Sequence, residues 1–115
     1  MLDDRAPSEQ WHEARIDAKR ARYSVEAIAG IFGRRTQELA HVLSDITEVL
    51  GHHQDAYIAQ AALRERMAVG GVDAATAFSL GLLHGVELRD ELQLRIDFWQ
   101  MWPSTVRDYG RLRAR

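Results

Sequence analysis

Seven apolar residues, Trp11, Ala14, Ala18, Ala21, Val25, Ile28 and Phe32, follow one another at alternating steps of three and four. Only an α-helix brings residues so spaced onto one side, so the segment must be a helix that buries a stripe against another element. Beside it runs a second row, His12, Arg15, Lys19 and Arg22, at steps of three, four and three. Neighbouring residues on a helix are rotated by about 100°, so this cationic row borders the buried stripe. The four side chains are therefore expected to open on the groove between this helix and a partner, a position suited to an anionic ligand.

Punctuation along the chain predicts three further helices. Ser8, after Pro7, is expected to cap helix 1, and Gly33 to end it in the left-handed conformation. Helix 2 is expected to follow Thr36 as its cap and to run to Leu50, burying Leu39, Val42, Leu43, Ile46, Val49 and Leu50, with Gly51 closing it. His52-His53-Gln54-Asp55 reads as a polar link in which Asp55 caps helix 3, whose apolar residues are Ile58, Ala61, Ala62 and Ala68. Gly70-Gly71 is the clearest breaker. Asp73 then caps helix 4, with Phe78, Leu82, Val86, Leu92, Ile96 and Trp99 along one side, and Pro103 is expected to end it. Ala77, Gly81 and Gly85, spaced by four, permit close helix packing. No strand pattern competes. The expected architecture is all-α, an up-and-down four-helix bundle in one domain: an N-terminal extension over 1–7, the bundle over 8–102 and a basic tail over 103–115.

Composition narrows the function. The 115 residues contain no cysteine, which removes disulfides, thiolate metal sites and cysteine nucleophiles and fits a cytoplasmic protein. No membrane span or secretory signal is visible, so no membrane partner is expected. The net charge of −2 argues against a surface that is basic throughout, and nucleic acid is not the expected ligand. The charge is instead segregated: residues 12–35 carry Arg15, Lys19, Arg20, Arg22, Arg34 and Arg35, whereas residues 36–60 contain no Lys or Arg. No Ser/His/Asp order, phosphate-cradling glycine loop or HExxH pattern is present, so neither an enzyme nor a cofactor is expected.

The string His12-x-x-Arg15-Ile16-x-x-Lys19-x-x-Arg22-Tyr23 resembles the signature of the CHAD family, the conserved histidine α-helical domains. Leu50-Gly51-x-x-Gln54-Asp55 is similar to the second landmark of that family, and Gly81-x-x-x-Gly85 followed by Phe98-Trp99 is similar to how these domains close. The resemblance implies one four-helix half of a two-bundle domain, most similar to the C-terminal half. It also implies non-catalytic binding of inorganic polyphosphate or a similar polyanion. Arg15, Lys19 and Arg22 fall on the phosphate-contacting positions of the signature, His12 on its histidine, and Arg20 between signature positions. A homodimer, or pairing with the missing N-terminal half, would rebuild the full shape.

Two other readings stand beside this one. A cationic helix face is often simply a solvated one, in which case the chain is a helical interaction or dimerisation module without its own ligand. Alternatively, His41, Asp45 and Glu48, with His52, His53 and Asp55 in the adjoining turn, form a donor set of the kind that zinc or another divalent ion takes. Such a set in a polar turn is unspecific, and no metal is assigned.

Overall fold

One glycine separates the first two helices. Gly33 adopts φ 86° and ψ −155°, a backbone conformation that essentially only glycine reaches. Its N–H closes α1 (Ser8–Phe32) on the carbonyl of Ala29, and α2 (Arg34–Val69) begins at the next residue. Gly70 and Gly71, with φ of 82° and 75°, make the second reversal. Asp73 then caps α3 (Ala74–Arg113), its Oδ1 accepting the Thr76 N–H at 2.7 Å. In the computed structural model the described residues are 2–3 and 5–113, with side chains as far as Trp102.

Three helices stand where four were expected, and no strand occurs among the described residues. The expected break at Gly51 does not exist. α2 passes straight through Gly51 and the His52–Asp55 segment and spans 36 residues. A lone glycine weakens a helix interior by only about 1 kcal/mol, which tertiary burial on both sides outweighs. Thr36 and Asp55 are accordingly helical residues rather than caps, and Thr36 is fully buried. Ser8 is also inside its helix, and Pro7 occupies the capping position. α3 continues past Pro103, where the ring removes one backbone donor while the turns on either side persist. The basic side chains expected over 103–115 lie outside the described residues.

The architecture follows from unequal lengths. At 1.5 Å per residue, the 25, 36 and 40 residues of α1, α2 and α3 span about 38, 54 and 60 Å. α2 and α3 therefore form a long antiparallel hairpin, and α1 covers only about the two-thirds of α2 nearest Gly33. The molecule measures 62 × 23 × 20 Å. The core sits where all three helices meet: Trp11 packs edge-on against Phe98 at 5.3 Å, with Ile46, Leu50 and Ala6 around them. Ala14 and Ala18, part-buried against this cluster, keep the α1–α2 approach close. Further along α1, the flank that a fourth helix would cover is open. It forms a hollow of about 650 Å³ lined by Ala18, Ala21 and Val25 of α1, Leu39, Leu43 and Ile46 of α2, and Trp102 of α3.

Of the stripe expected along one side of the fourth helix, Trp99 packs against the core, but the rest points outward. Phe78, Leu82, Val86, Leu92 and Ile96 are all exposed, and the buried side of α3 carries Glu91, Arg95 and Phe98 instead.

Candidate functional site

Three members of the cationic row converge as the spacing requires. Arg15, Lys19 and Arg22, each half-buried, line a groove of about 490 Å³ between α1 and α2. The α2 wall opposite contributes Ser44, Thr47, Glu48, Gly51, His52 and Asp55. Gly51 explains how close the walls come. A Cβ there would lie 3.6 Å from Arg15 Nε, so the guanidinium stem of Arg15 rests over the bare backbone of α2.

The partners of these cations decide what the groove can do. Arg22 Nε stands 3.4 Å from Glu26 Oε1, and its guanidinium lies over the Tyr23 ring at 4.7 Å from the centroid. Among the described residues, Arg15 and Lys19 make no ion pair with a carboxylate. Among the described residues, the buried Nε atoms of Arg15 and Arg22 have no hydrogen-bond partner, although the Glu26 carboxylate stands at ion-pair distance from that of Arg22. Leaving buried donors unmade is costly, and each can be satisfied by an oxyanion entering the groove. Glu48 and Asp55 temper the field from the far wall, although Glu48 also approaches His52 Nε2 at 3.7 Å.

The other two residues of the expected set lie elsewhere. His12 is half-buried one turn before Arg15 and is not part of the groove lining. Arg20 is exposed and projects from the opposite side of α1, because it falls about 140° from Arg15 around the helix. Gln54, part of the second landmark, buries its side-chain oxygen without a partner, while its neighbour Asp55 reaches the groove.

The divalent-ion set does not assemble. His41 pairs with Asp45 and His52 with Glu48 along the exposed surface of α2, each at 3.7 Å, while His53 turns inward and is buried. Among the described residues no three His, Asp or Glu side chains are placed to hold a metal ion.

What sequence reasoning missed is the place to which His53 turns. Glu91 Oε1 accepts from the Ser8 hydroxyl at 2.6 Å and from Arg95 at 2.9 Å, and Glu91 Oε2 accepts from Gln60 at 2.6 Å. Arg95 also donates to the Ala6 carbonyl at 3.0 Å and to His53 Nε2 at 3.1 Å, and it lies over the Trp11 ring. Trp11 stacks on His53 with centroids 5.0 Å apart. Burial alone would raise the Glu91 carboxyl, but the hydrogen bonds from Ser8 and Gln60, followed by the electrostatic pull of His53 and Arg95, hold it below its ordinary value. The one signal in the sequence is Glu91 and Arg95 at a spacing of four within an apolar helix. With its members tied to one another, the cluster clamps the three helices together around Trp11.

The CHAD domain family model matches residues 2–64, which cover α1 and most of α2 and so include the whole cationic row and the Gly51–Asp55 landmark. The glycine pair and the aromatic residues of α3 lie outside the matched segment. No curated protein and no solved structure gives a match. No helix among the described residues is long and apolar enough to cross a membrane. The family model covers more than half of the chain, including the cationic helix and most of the helix it packs on, and the chain belongs to the CHAD-domain family.

Proposed function

We propose that this chain binds inorganic polyphosphate, or a polyanion of similar charge spacing, without catalysis, through Arg15, Lys19 and Arg22. The observation that carries the reading is the buried Arg15 Nε, which has neither a hydrogen-bond partner nor an ion pair among the described residues, in a groove that Lys19 and Arg22 also line. A linear polyphosphate carries about one charge per phosphate, and cations one helical turn apart, about 5 to 6 Å, each meet a successive group. Arg donates two parallel hydrogen bonds to phosphate oxygens, while Lys acts as a mobile point charge. His12 extends the row by one turn, and Arg20, on the opposite side, adds only to the long-range field.

The carboxylates of Glu48 and Asp55 favour a ligand lying along α1 rather than filling the groove. In this reading α1 supplies one wall of a wider channel, and a second helical half supplies the other. That half is either a polypeptide resembling the N-terminal bundle of the family or a second copy of this chain.

Retention on immobilised polyphosphate tests the site. Replacing Arg15, Lys19 and Arg22 together by Ala should abolish retention at low salt while leaving the helical circular dichroism intact. Retention equal to that of the unmodified chain would refute the assignment.

A further inference from the structure

The side of α3 turned away from α2 carries a regular seam that none of the described residues covers. Phe78, Leu82, Gly85, Arg89, Leu92 and Ile96 follow one another at steps of four, three, four, three and four, the period of 3.5 residues that defines a left-handed coiled-coil face. Phe78 is 68 % exposed, Leu82 56 %, Leu92 49 % and Ile96 48 %. A Cβ added at Gly85 would meet nothing within 4 Å, so the small residue serves no contact among the described residues. Arg89, its side chain 80 % exposed, stands 3.9 Å from its neighbour Asp90.

The order of residues in the seam says what covers it. Taken outward from Glu87 in both directions, Gly85 mirrors Arg89, Leu82 mirrors Leu92, and Phe78 mirrors Ile96. Apolar side chains match apolar ones, and the single charged position is matched to the single position without a side chain. A two-fold interface requires such a pattern, because residue i meets j on the partner while j meets i. A seam shaped for an unrelated helix has no reason to be symmetric about its own midpoint.

We propose that two copies of this chain pair through antiparallel α3 helices centred on Glu87. Leu82 then packs on Leu92 of the partner subunit and Phe78 on Ile96 of the partner subunit. Each Arg89 lays its stem across the partner's Gly85 and keeps its guanidinium at the wet rim. The seam spans 19 residues, about 28 Å or nearly three heptads. This pairing uses the outer side of α3 and is independent of the anion groove, which lies between α1 and α2.

Sedimentation equilibrium of the full chain tests it. The expected mass is twice the 13.1 kDa of one chain. Leu82→Glu should halve that mass with the circular dichroism unchanged, since the position is exposed. Adding Leu92→Lys to Leu82→Glu should restore the dimer, because each Glu then faces a Lys; a parallel pair would set like charges together and stay apart. A monomeric unmodified chain, a dimer indifferent to Leu82→Glu, or a double variant that stays monomeric would each overturn the proposal. Polyphosphate retention by the monomeric Leu82→Glu chain reads the anion site separately, so failure of one idea is not mistaken for failure of the other.

Discussion

Arg95 Nε donates a 3.1 Å hydrogen bond to His53 Nε2 in the interior of the three-helix junction. Arginine is a donor only, so the imidazole must present a lone pair at Nε2 and carry its proton on Nδ1. The ring is therefore neutral, and it is held between the Trp11 face and a permanent positive charge. Burial pushes the His53 pKa down to about 4, outweighing the upward pull of the Glu91 carboxylate at 3.4 Å, and the Arg95 charge adds a smaller downward push.

Stability should consequently depend on pH in a defined window. Above pH 6.5 His53 is neutral in both the folded and unfolded chain, and the site adds no dependence. As pH falls from 6.5 towards 4 the unfolded chain takes up a proton that the folded chain refuses, so stability declines by about 3 kcal/mol in total and the contribution then levels off. Glu91 adds to the loss at lower pH, because a carboxyl whose folded pKa is depressed contributes stability that disappears as pH drops through that value. Thermal melts between pH 7 and 4 measure the slope, and His53→Gln should flatten it. A His53→Gln chain with the same slope as the unmodified one would contradict the buried neutral imidazole.

The same junction predicts strong non-additivity. Glu91→Leu leaves the Arg95 guanidinium buried without its carboxylate, at a cost of about 3 to 5 kcal/mol. Replacing both, Glu91→Leu with Arg95→Met, should cost clearly less than Glu91→Leu alone, because no charge is then stranded. Urea titrations of the two single variants and the double variant measure the coupling. A double variant as unstable as the sum of its parts would show that the pair is not the unit described.

Much of this molecule was legible in its sequence wherever a local cause suffices. Gly33, Gly70 and Gly71 sit at positive φ, and Asp73 caps through its own side chain; each is a short-range effect that composition reveals. The cationic row reached its groove because helical pitch alone aligns Arg15, Lys19 and Arg22. Gly51 and the His52–Asp55 segment misled because local propensity there favours a break, whereas the burial of His53, Ala56 and Gln60 holds the helix together. On α3 the apolar stripe advertises a contact without saying with what. Its period is the same whether it meets the chain's own core or another molecule, and the true inner face was disguised by Glu91 and Arg95, which look like surface residues until their partners are known.

Gly51 offers a test in which stability and binding part. Gly51→Ala should stabilise α2 by about 1 kcal/mol, because the added Cβ restricts the unfolded chain and meets Arg15 Nε at an ordinary contact distance of 3.6 Å. Retention on polyphosphate should be unchanged. Gly51→Leu, in contrast, places a branched side chain where the Arg15 guanidinium lies and should weaken retention several-fold while the chain stays folded. Equal retention by the Ala and Leu variants would mean that Arg15 does not use this side of the groove.

Salt separates a bound polyanion from a merely attractive surface. If Arg15, Lys19 and Arg22 each neutralise one phosphate, the logarithm of the affinity should fall with the logarithm of salt concentration at a slope of about −2, the value expected for three contacts on a single flexible strand. Removing one contact by Arg15→Ala should make the slope shallower by about 0.7, because one fewer counterion is released. Arg20→Ala removes the same charge from the opposite side of α1 and should leave the slope unchanged, with only a small loss of affinity at low salt. Titrations of a labelled polyphosphate at several salt concentrations measure all three chains. Identical slopes for Arg15→Ala and Arg20→Ala would reduce the groove to a diffuse positive field, whereas a shallower slope for Arg15→Ala alone locates the contact on the α2-facing side of α1.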